Sequence, residues 1–253
     1  MKLNCDLGEG ESIQQVANDA LIMPFIDQAN IACGMHASNP SVMLHTVQLA
    51  KIYNVSIGAH PSYDDKTNFG RQNIFLSSEE IISLLLYQLG ALQAICLSQD
   101  AKLDYVKPHG ALYNNMMAHP EVLEAVLQAM KIWNQQKSQK QRLPVMVLAN
   151  QQAEQISKQA ESFGVPLLFE AFADRSYNDD GSLVARNIPG AVLESESEIL
   201  AQASLLFEQA QIRTMQGKNL SLNADSLCVH GDNPQAFAAV QAIRQLVANL
   251  DKD

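Results

Sequence analysis

Val106-Lys107-Pro108-His109-Gly110-Ala111-Leu112-Tyr113-Asn114 is the stretch whose reading decides the fold. A short apolar approach, Leu103 to Val106, runs into a cation, a proline, an imidazole and a glycine. Proline lacks the N–H that a strand ladder needs, so pairing stops near Pro108. Gly110 lets the backbone turn or approach a ligand closely. The pattern is a buried strand ending in a polar loop, with Lys107 and His109 presented together at the strand's carboxyl end. Taken alone, it is an ordinary strand-to-helix connection. Its recurrence along the chain gives it weight.

Upstream, Val55-Ser56-Ile57-Gly58-Ala59 ends in His60-Pro61, and the apolar run Ala29 to Cys33 ends in Gly34-Met35-His36. Leu3 to Leu7 reads as a strand before the turn Gly8-Glu9-Gly10, with Asn4 and Asp6 on one face by two-residue alternation. Downstream, Val145 to Leu148 is a fifth strand with Asn150 as a helix cap after it. Leu167 to Phe169 is a sixth, leading into Glu170, Asp174 and Arg175. Leu227 to Val229 is the last, ending in His230-Gly231-Asp232.

Helices fill the intervals. One stretch runs from Ser12 to about Met23, and Asn39-Pro40 starts another that reaches about Tyr53, with Asn as cap and Pro at the first helical position. Ser77-Ser78-Glu79-Glu80 is a capping box, followed by an apolar stripe of Leu85, Leu89, Leu92 and Cys96 that reads as core packing. His119-Pro120 opens a helix carrying Val122, Val126 and Met130, and Ser195-x-x-Glu198 caps another. Asn233-Pro234 begins the closing helix with Phe237, Val240, Ile243 and Val247 on one face. The polar connector Gln135 to Arg142 does not divide the chain, because the alternation resumes unchanged after it. Residues 1–253 are therefore expected to form a single domain.

Strand, polar turn and capped helix recur about seven times, which argues for a parallel sheet with helices outside it. For 253 residues the closed solution is an α/β fold: an irregular, seven-stranded TIM-like β/α barrel. A doubly wound open sheet is the alternative. Both place ligands at the carboxyl ends of the strands, where the polar clusters fall.

Composition narrows the function. The chain is 47% hydrophobic and carries 17 Lys+Arg against 27 Asp+Glu, a formal net charge of -10. That balance disfavours nucleic acid and anionic membranes as partners. The apolar run Ile81 to Leu97 is interrupted by Gln88, Gly90 and Gln93 and is not expected to span a bilayer. No signal-peptide pattern stands at the start, and Cys5, Cys33, Cys96 and Cys228 form no Cys-x-x-Cys pair. These features read as a cytoplasmic protein with reduced, buried thiols.

Gathered at one mouth would be Asn4, Asp6, Glu9, Asn30, His36, His60, Lys107, His109, Glu170, Asp174, Arg175, His230 and Asp232. Four of the six histidines lie at strand ends; His45 and His119 belong to helices. For one such histidine a structural role competes evenly with a chemical one, but four on four strands favour chemistry. Asp174-Arg175 is read equally as a loop ion pair. Arg71, Lys107 and Arg175 are isolated cations in an acidic chain, which suits a small anionic substrate bearing a carboxylate or a transferred phosphate. The chain has no Gly-x-x-x-x-Gly-Lys-Ser/Thr, Gly-x-Gly-x-x-Gly, Gly-x-Ser-x-Gly or His-Glu-x-x-His motif, which disfavours nucleotide cradles and a hydrolase serine. Whether histidines and an aspartate meet in space to bind a metal stays open at this level.

Several blocks, in order, resemble the LamB/YcsF family. They are Asn4-Cys5-Asp6-Leu7-Gly8-Glu9, Ala29-Asn30-Ile31-Ala32-Cys33-Gly34-x-His36-Ala37, Ile57-Gly58-Ala59-His60-Pro61, Phe69-Gly70-Arg71, the Lys107/His109 stretch, Glu170-Ala171-Phe172-Ala173-Asp174-Arg175-x-Tyr177, and Val229-His230-Gly231-Asp232-Asn233-Pro234. The resemblance implies a barrel related to that of sugar deacetylases and the role of the A subunit in an ATP-dependent 5-oxoprolinase. Such an enzyme cleaves 5-oxo-L-proline to L-glutamate with ATP as cosubstrate, and works with subunits B and C. With no nucleotide loop in this chain, ATP is expected to be bound mainly by the partners, and this chain to hydrolyse the lactam they activate. Asp6, His60, Lys107, His109 and His230 are then the catalytic set: Asp6 or His109 as base, another histidine as acid, and Lys107 with Arg175 as electrostatic anchors. Asn4, Glu9, Asn30, His36, Arg71, Glu170, Asp174, Arg175 and Asp232 would bind substrate. Two rival readings remain, a stand-alone metal-dependent deacetylase or amidohydrolase and a non-catalytic lactam-binding subunit. The chain departs from the family at Ser38-Asn39, where Gly-Asp is usual, and at Asn68 and Gln72, where Gly and Arg are common.

Overall fold

Strands covered on both faces must be apolar or internally hydrogen-bonded at every position. The six-residue strand β1 (Lys2–Leu7) is buried at all but its first residue. The next, β2 (Gln28–Ala32), is buried throughout. In the computed structural model, which describes residues 1–229 and 236–250, these strands belong to a closed seven-stranded parallel barrel. Following β1 and β2 around it come β3 (Ser56–His60), β4 (Leu103–Val106), β5 (Val145–Leu148), β6 (Leu167–Phe172) and, beyond a small hairpin of β7 (Gln211–Arg213) and β8 (Asn219–Ser221), β9 (Ser226–Val229). β9 pairs with both β6 and β1 and so closes the ring. The fold is a TIM-like α/β barrel with one strand fewer than the usual eight.

Several of the outer helices follow their sequence signals. α1 (Asp19–Ile22) is short; α2 (Pro40–Ile52) starts where Asn39 Oδ1 accepts from the Ser41 and Val42 amides at 3.0 and 3.1 Å. α3 (Ser78–Ser98) begins with the Ser77/Glu80 capping box, and Leu85, Leu89, Leu92 and Cys96 are fully buried. α4 (Gly110–Ala118), α5 (Pro120–Asn134), α6 (Ala153–Phe163), α7 (Glu196–Gln209) and α8 (Ala236–Leu250) complete the set.

Some expectations need correction. Ser12 to Met23 is not one helix: it runs as three-residue turns, with Gln15, Ala17 and Asp19 amides bonded to the Ser12, Gln14 and Val16 carbonyls. Regular helix covers only Asp19–Ile22, because the Asp19 carboxylate is drawn away to the Gly8 amide at 2.7 Å and Pro24 follows. α4 was not expected; it ends at His119, since the residue before Pro120 is held extended. Asn150 accepts from the Gln152 amide in a turn, and the cap position of α6 falls two residues later, at Gln152. The sixth strand runs on to Phe172, so Glu170 lies within it rather than beyond it. α3 is long and apolar enough by length and composition to cross a membrane, despite its glutamines. Here Gln88 turns inward and bonds the Ser62 amide and carbonyl at 2.9 Å.

The barrel axis is polar, and this feature positions the site. The register sets Asn4 opposite Gln28 and Cys228, and Asn30 opposite Asp6 and Gly58. Ser226 Oγ donates to Gln28 Oε1 and accepts from Asn4 Nδ2, both at 2.7 Å. Asn30 Nδ2 donates to Asn4 Oδ1 at 2.8 Å and to Asp6 Oδ1 at 2.6 Å, while Tyr105 OH donates to Asn30 Oδ1 at 2.6 Å. Tyr105 fits because its neighbour on β3 is Gly58; a Cβ there would lie 2.2 Å from its ring. A column of hydrogen bonds thus climbs the barrel and ends on Asp6.

Candidate active site

Lys107, just past the end of β4, is buried with its Nζ 2.9 Å from Asp6 Oδ1, 3.2 Å from Glu170 Oε2, 3.3 Å from Asn4 Oδ1 and 3.1 Å from Cys228 Sγ. Burial alone would favour the neutral amine, but Asp6, Cys228 and Glu170 outweigh it and hold Lys107 well above the usual lysine range. The Phe172 ring lies 5.3 Å from the ammonium. Glu170 is wholly buried, which pushes its carboxyl up against the pull of Lys107. Glu170 pairs with the Lys107 ammonium, and the Tyr113 hydroxyl beside it also pulls its carboxyl down, although among the described residues neither Glu170 nor Tyr113 has a fully aligned hydrogen bond.

Beside this pair three histidines converge. His60 Nδ1 lies 2.7 Å from the Lys107 carbonyl and His109 Nε2 lies 2.9 Å from the Phe69 carbonyl. A carbonyl only accepts, so both nitrogens carry protons. His36 Nδ1 lies 2.9 Å from Ser62 Oγ, which itself donates to the Tyr63 carbonyl at 2.8 Å, so His36 is the donor there too. The remaining nitrogens face one another and Glu9. His60 Nε2 is 2.9 Å from His109 Nδ1, and Glu9 Oε1 is 3.0 Å from His36 Nε2, 3.2 Å from His109 Nδ1 and 3.8 Å from His60 Nε2. Asp6 Oδ2 lies 3.4 Å from His60 Nε2, joining the two clusters. The His36 and His109 rings stack at 3.8 Å. Burial, with the neighbouring imidazole next, holds both well below the ordinary histidine range, so both are neutral. Among the described residues, Glu9, His36, His60 and His109 form a group able to hold a metal.

Local sequence explains the placement. Gly70, at φ +65°, lets the Phe69-Gly70-Arg71 loop lie against the cluster; a Cβ there would meet His36 Cβ at 2.8 Å and His109 Cδ2 at 2.9 Å. Gly110, at φ +55°, accommodates the Gly70 carbonyl where a Cβ would lie 2.5 Å from it. Arg71 stands over the Phe69 ring at 4.9 Å.

The site opens into a cavity of about 1010 Å³, with Asp6, Glu9, His60, Lys107 and His109 on its floor and Arg71, Arg175 and Arg186 on its walls. That is at the upper end of the range for small-molecule sites. Of the residues expected at the mouth, Asn4 and Asn30 lie instead inside the barrel, fully buried, where they orient Asp6. Arg175 has two nitrogens committed to main chain, Nε to the Ala191 carbonyl at 3.3 Å and an NH2 to that of Val184 at 2.6 Å, so it braces the 176–193 loop. Burial lowers its guanidinium to about 10, with Arg186 adding to the effect. Asp174 is buried next to it. His230 and Asp232 lie outside the described residues. Sequence reading missed Tyr105, Cys228, Ser62 and Tyr113. Tyr105 precedes Lys107 by two residues on the same strand face, a signal alternation contains; Tyr113 stands in the Lys107/His109 stretch without being singled out, and Ser62 leaves no signal.

Comparison with known proteins agrees with this architecture. The chain is 47% identical over 245 residues to a Vibrio campbellii protein named as the A subunit of 5-oxoprolinase, covering 97% of this chain and 94% of that one. A Pseudomonas fluorescens protein of the same name is 46% identical over 243 residues, covering 96% and 95%. The crystal structure of a lactam utilization protein from Thermus thermophilus superposes with a TM-score of 0.86 at 32% identity, over 98% of this chain and 97% of that one. The LamB/YcsF family model matches residues 1–252, and the chain belongs to the LamB/YcsF family.

Proposed function

We propose that this chain is the A subunit of an ATP-dependent 5-oxoprolinase, opening the lactam ring of 5-oxo-L-proline to give L-glutamate. The observation that carries the reading is the charged floor of the cavity, Asp6, Lys107, His60 and His109 within hydrogen-bonding reach of one another, in a chain so similar to proteins bearing that name. A five-membered lactam is a stable amide, and phosphorylation of its oxygen by ATP makes the ring carbon electrophilic. This chain has no recognisable nucleotide loop, so the partners, subunits B and C, carry out that step and bind ATP in the main. The cavity, larger than the lactam needs, has room for the activated ring, and Arg71 and Arg186 on its walls suit phosphate and carboxylate.

Water adds to the ring carbon as Asp6 takes its proton. Breaking the carbon–nitrogen bond, with protonation of the nitrogen, opens the ring to an acyl phosphate, and a second water releases phosphate and glutamate. Asp6 is aimed for the first step by Asn30 and Lys107, both on Oδ1. Lys107 supplies the fixed positive charge against which oxyanion character develops, and Glu170, whose carboxyl is raised by burial, is placed to hold a proton. His60 and His109 complete the catalytic set as far as the described residues go, with Glu9, His36, Asp174 and Arg175 framing the substrate; His230 is proposed for the catalytic set and Asp232 for substrate binding on their place in the sequence alone. The whole chain, 1–253, acts in this reading as one domain in the cytoplasm.

The test is glutamate production from 5-oxoproline and ATP, by the chain alone and with subunits B and C added. The complete set should turn over and the chain alone should not, and Lys107→Ala or His109→Ala should abolish turnover without unfolding the chain. Full activity in both variants would sink the assignment. Glutamate formed by the chain alone without ATP would replace it with a stand-alone amidohydrolase. A change in affinity without loss of rate at saturation would leave only a lactam-binding subunit.

A further inference from the structure

We propose that Glu9, His36, His60 and His109 form a site for one divalent transition-metal ion of the zinc class. The inference stands on geometry and does not depend on the lactam reading.

The outer nitrogens of these imidazoles are committed as donors, to the Lys107 carbonyl, the Phe69 carbonyl and Ser62 Oγ. That leaves one ring nitrogen of each histidine over, and these three atoms and a Glu9 carboxylate oxygen all lie within 4.8 Å of one another. The nearest pair, His60 Nε2 and His109 Nδ1, are 2.9 Å apart, and two ring nitrogens that close need a proton or a cation between them. Ligating histidines commonly have their second nitrogen donated to a carbonyl, hydroxyl or carboxylate, which fixes the tautomer and aims the lone pair. Each of these rings has such an outer partner.

The separations also fit. Four donors bound tetrahedrally at about 2.0–2.2 Å stand about 3.4 Å from one another. Four of the six pairs here are 2.9, 3.0, 3.2 and 3.8 Å apart, and no two donor atoms of the set are more than 4.8 Å apart. Three nitrogens and one carboxylate oxygen select zinc, cobalt, nickel or iron over magnesium and calcium, which take oxygen. The rings are 1–5% exposed, so an ion there is shielded from competing water on all sides but that of the cavity. Asp6 Oδ2, 3.4 Å from His60 Nε2, stands where a base for a polarised water is useful. The rival occupant of the same space is a proton shared between His60 and His109.

The experiment uses the full chain, stripped with a chelator and reloaded with Zn²⁺ or Co²⁺ in the absence of ATP and lactam. Metal analysis after dialysis should find one ion per chain, and Co²⁺ should give the visible bands of a low-coordinate nitrogen-rich site. Glu9→Gln and His36→Gln should each weaken Zn²⁺ binding by about 100-fold or more, beyond the 10–100-fold typical of losing an outer-sphere partner. Exposed His119, replaced by Gln, should leave binding unchanged. Where a ligand variant fails to fold, Ser62→Ala keeps every ligand and should still weaken binding about 10-fold or more. Less than a tenth of an equivalent bound by the wild-type chain, or unchanged affinity in Glu9→Gln and Ser62→Ala, overturns the proposal in favour of the shared proton. Because binding is read without turnover, its failure and that of the lactam assignment are separate results.

Discussion

Replacing Lys107 with methionine keeps most of the side chain's length and removes its charge, which makes it a direct test of the buried ion cluster. In the wild-type chain this ammonium faces Asp6 at 2.9 Å and Glu170 at 3.2 Å, and both carboxylates are at most 5% exposed. Taking away one member of a buried pair costs about 3–5 kcal/mol, mostly because the remaining charge is left desolvated. Two carboxylates share that fate here, so the upper part of the range applies at alkaline pH. Relief comes from a proton. In the variant, one of the two carboxyls has a folded pKa above its unfolded value of about 4. The native state then holds a proton that the unfolded chain releases, and stability falls as pH rises through the folded pKa. Urea unfolding with linear extrapolation should therefore show a loss of about 4–5 kcal/mol at pH 8 and about 1–2 kcal/mol at pH 5. Adding Glu170→Gln to Lys107→Met removes one of the two stranded charges and should recover about 2 kcal/mol at pH 8. A loss that is the same at both pH values, or below about 1 kcal/mol at pH 8, would refute the reasoning.

Two further outcomes follow from buried groups outside the ion cluster. Burial pushes the Asp19 carboxyl up to about 7, against the pull of the Gly8 amide and with help from Glu9. Its contribution is complete below about pH 4 and lost as pH rises through 7, with a slope of at most about 1.4 kcal/mol per pH unit. Asp19→Asn, which keeps an acceptor for Gly8, should flatten the urea midpoint across that window and be the more stable form at pH 8; a curve parallel to the wild type would contradict this. Gly58→Ala would drive a methyl to 2.2 Å from the Tyr105 ring, and should cost about 2–3 kcal/mol in urea unfolding; adding Tyr105→Leu should relieve the clash but recover only part of the loss, because Asn30 Oδ1 then loses its donor. A loss below about 0.5 kcal/mol would show that the ring has somewhere else to go.

Much of the barrel was legible because it is built from signals that act locally. Asn39 and Ser77 cap their helices as expected, and the stripe from Leu85 to Cys96 packs inward. Lys107 and His109 stand past a strand that stops before Pro108. Elements decided by distant partners were not legible. The segment after Ser12 has helical composition, yet Asp19 is recruited by Gly8 on the other side of the loop. The β7–β8 hairpin carries no strong pattern, and α4 was hidden behind the glycine that starts it. Within the site, alternation placed Asn4 with Asp6, but could not tell a residue lining the mouth from one that props up its neighbour. Ser38 shows the same limit from the backbone side. The family resemblance expects glycine there, and the structure gives the reason: φ is +79°, and the buried hydroxyl finds no hydrogen-bond partner among the described residues. Asn39, in place of the family's acid, caps α2 and bonds the Glu11 carbonyl at 2.8 Å, which accounts for the position without any part in the chemistry.

Two of the clustered imidazoles are held in their tautomers by peptide oxygens rather than by side chains, those of Lys107 and Phe69. Substituting the side chain at 69 removes a ring but leaves the acceptor in place. A residue-by-residue scan would therefore pass over what dictates the protonation pattern and assign the phenotype to Gly70 and Gly110, whose missing side chains let the loop close over the rings. In this pocket, the peptide chain itself tells the histidines which nitrogen to keep bare.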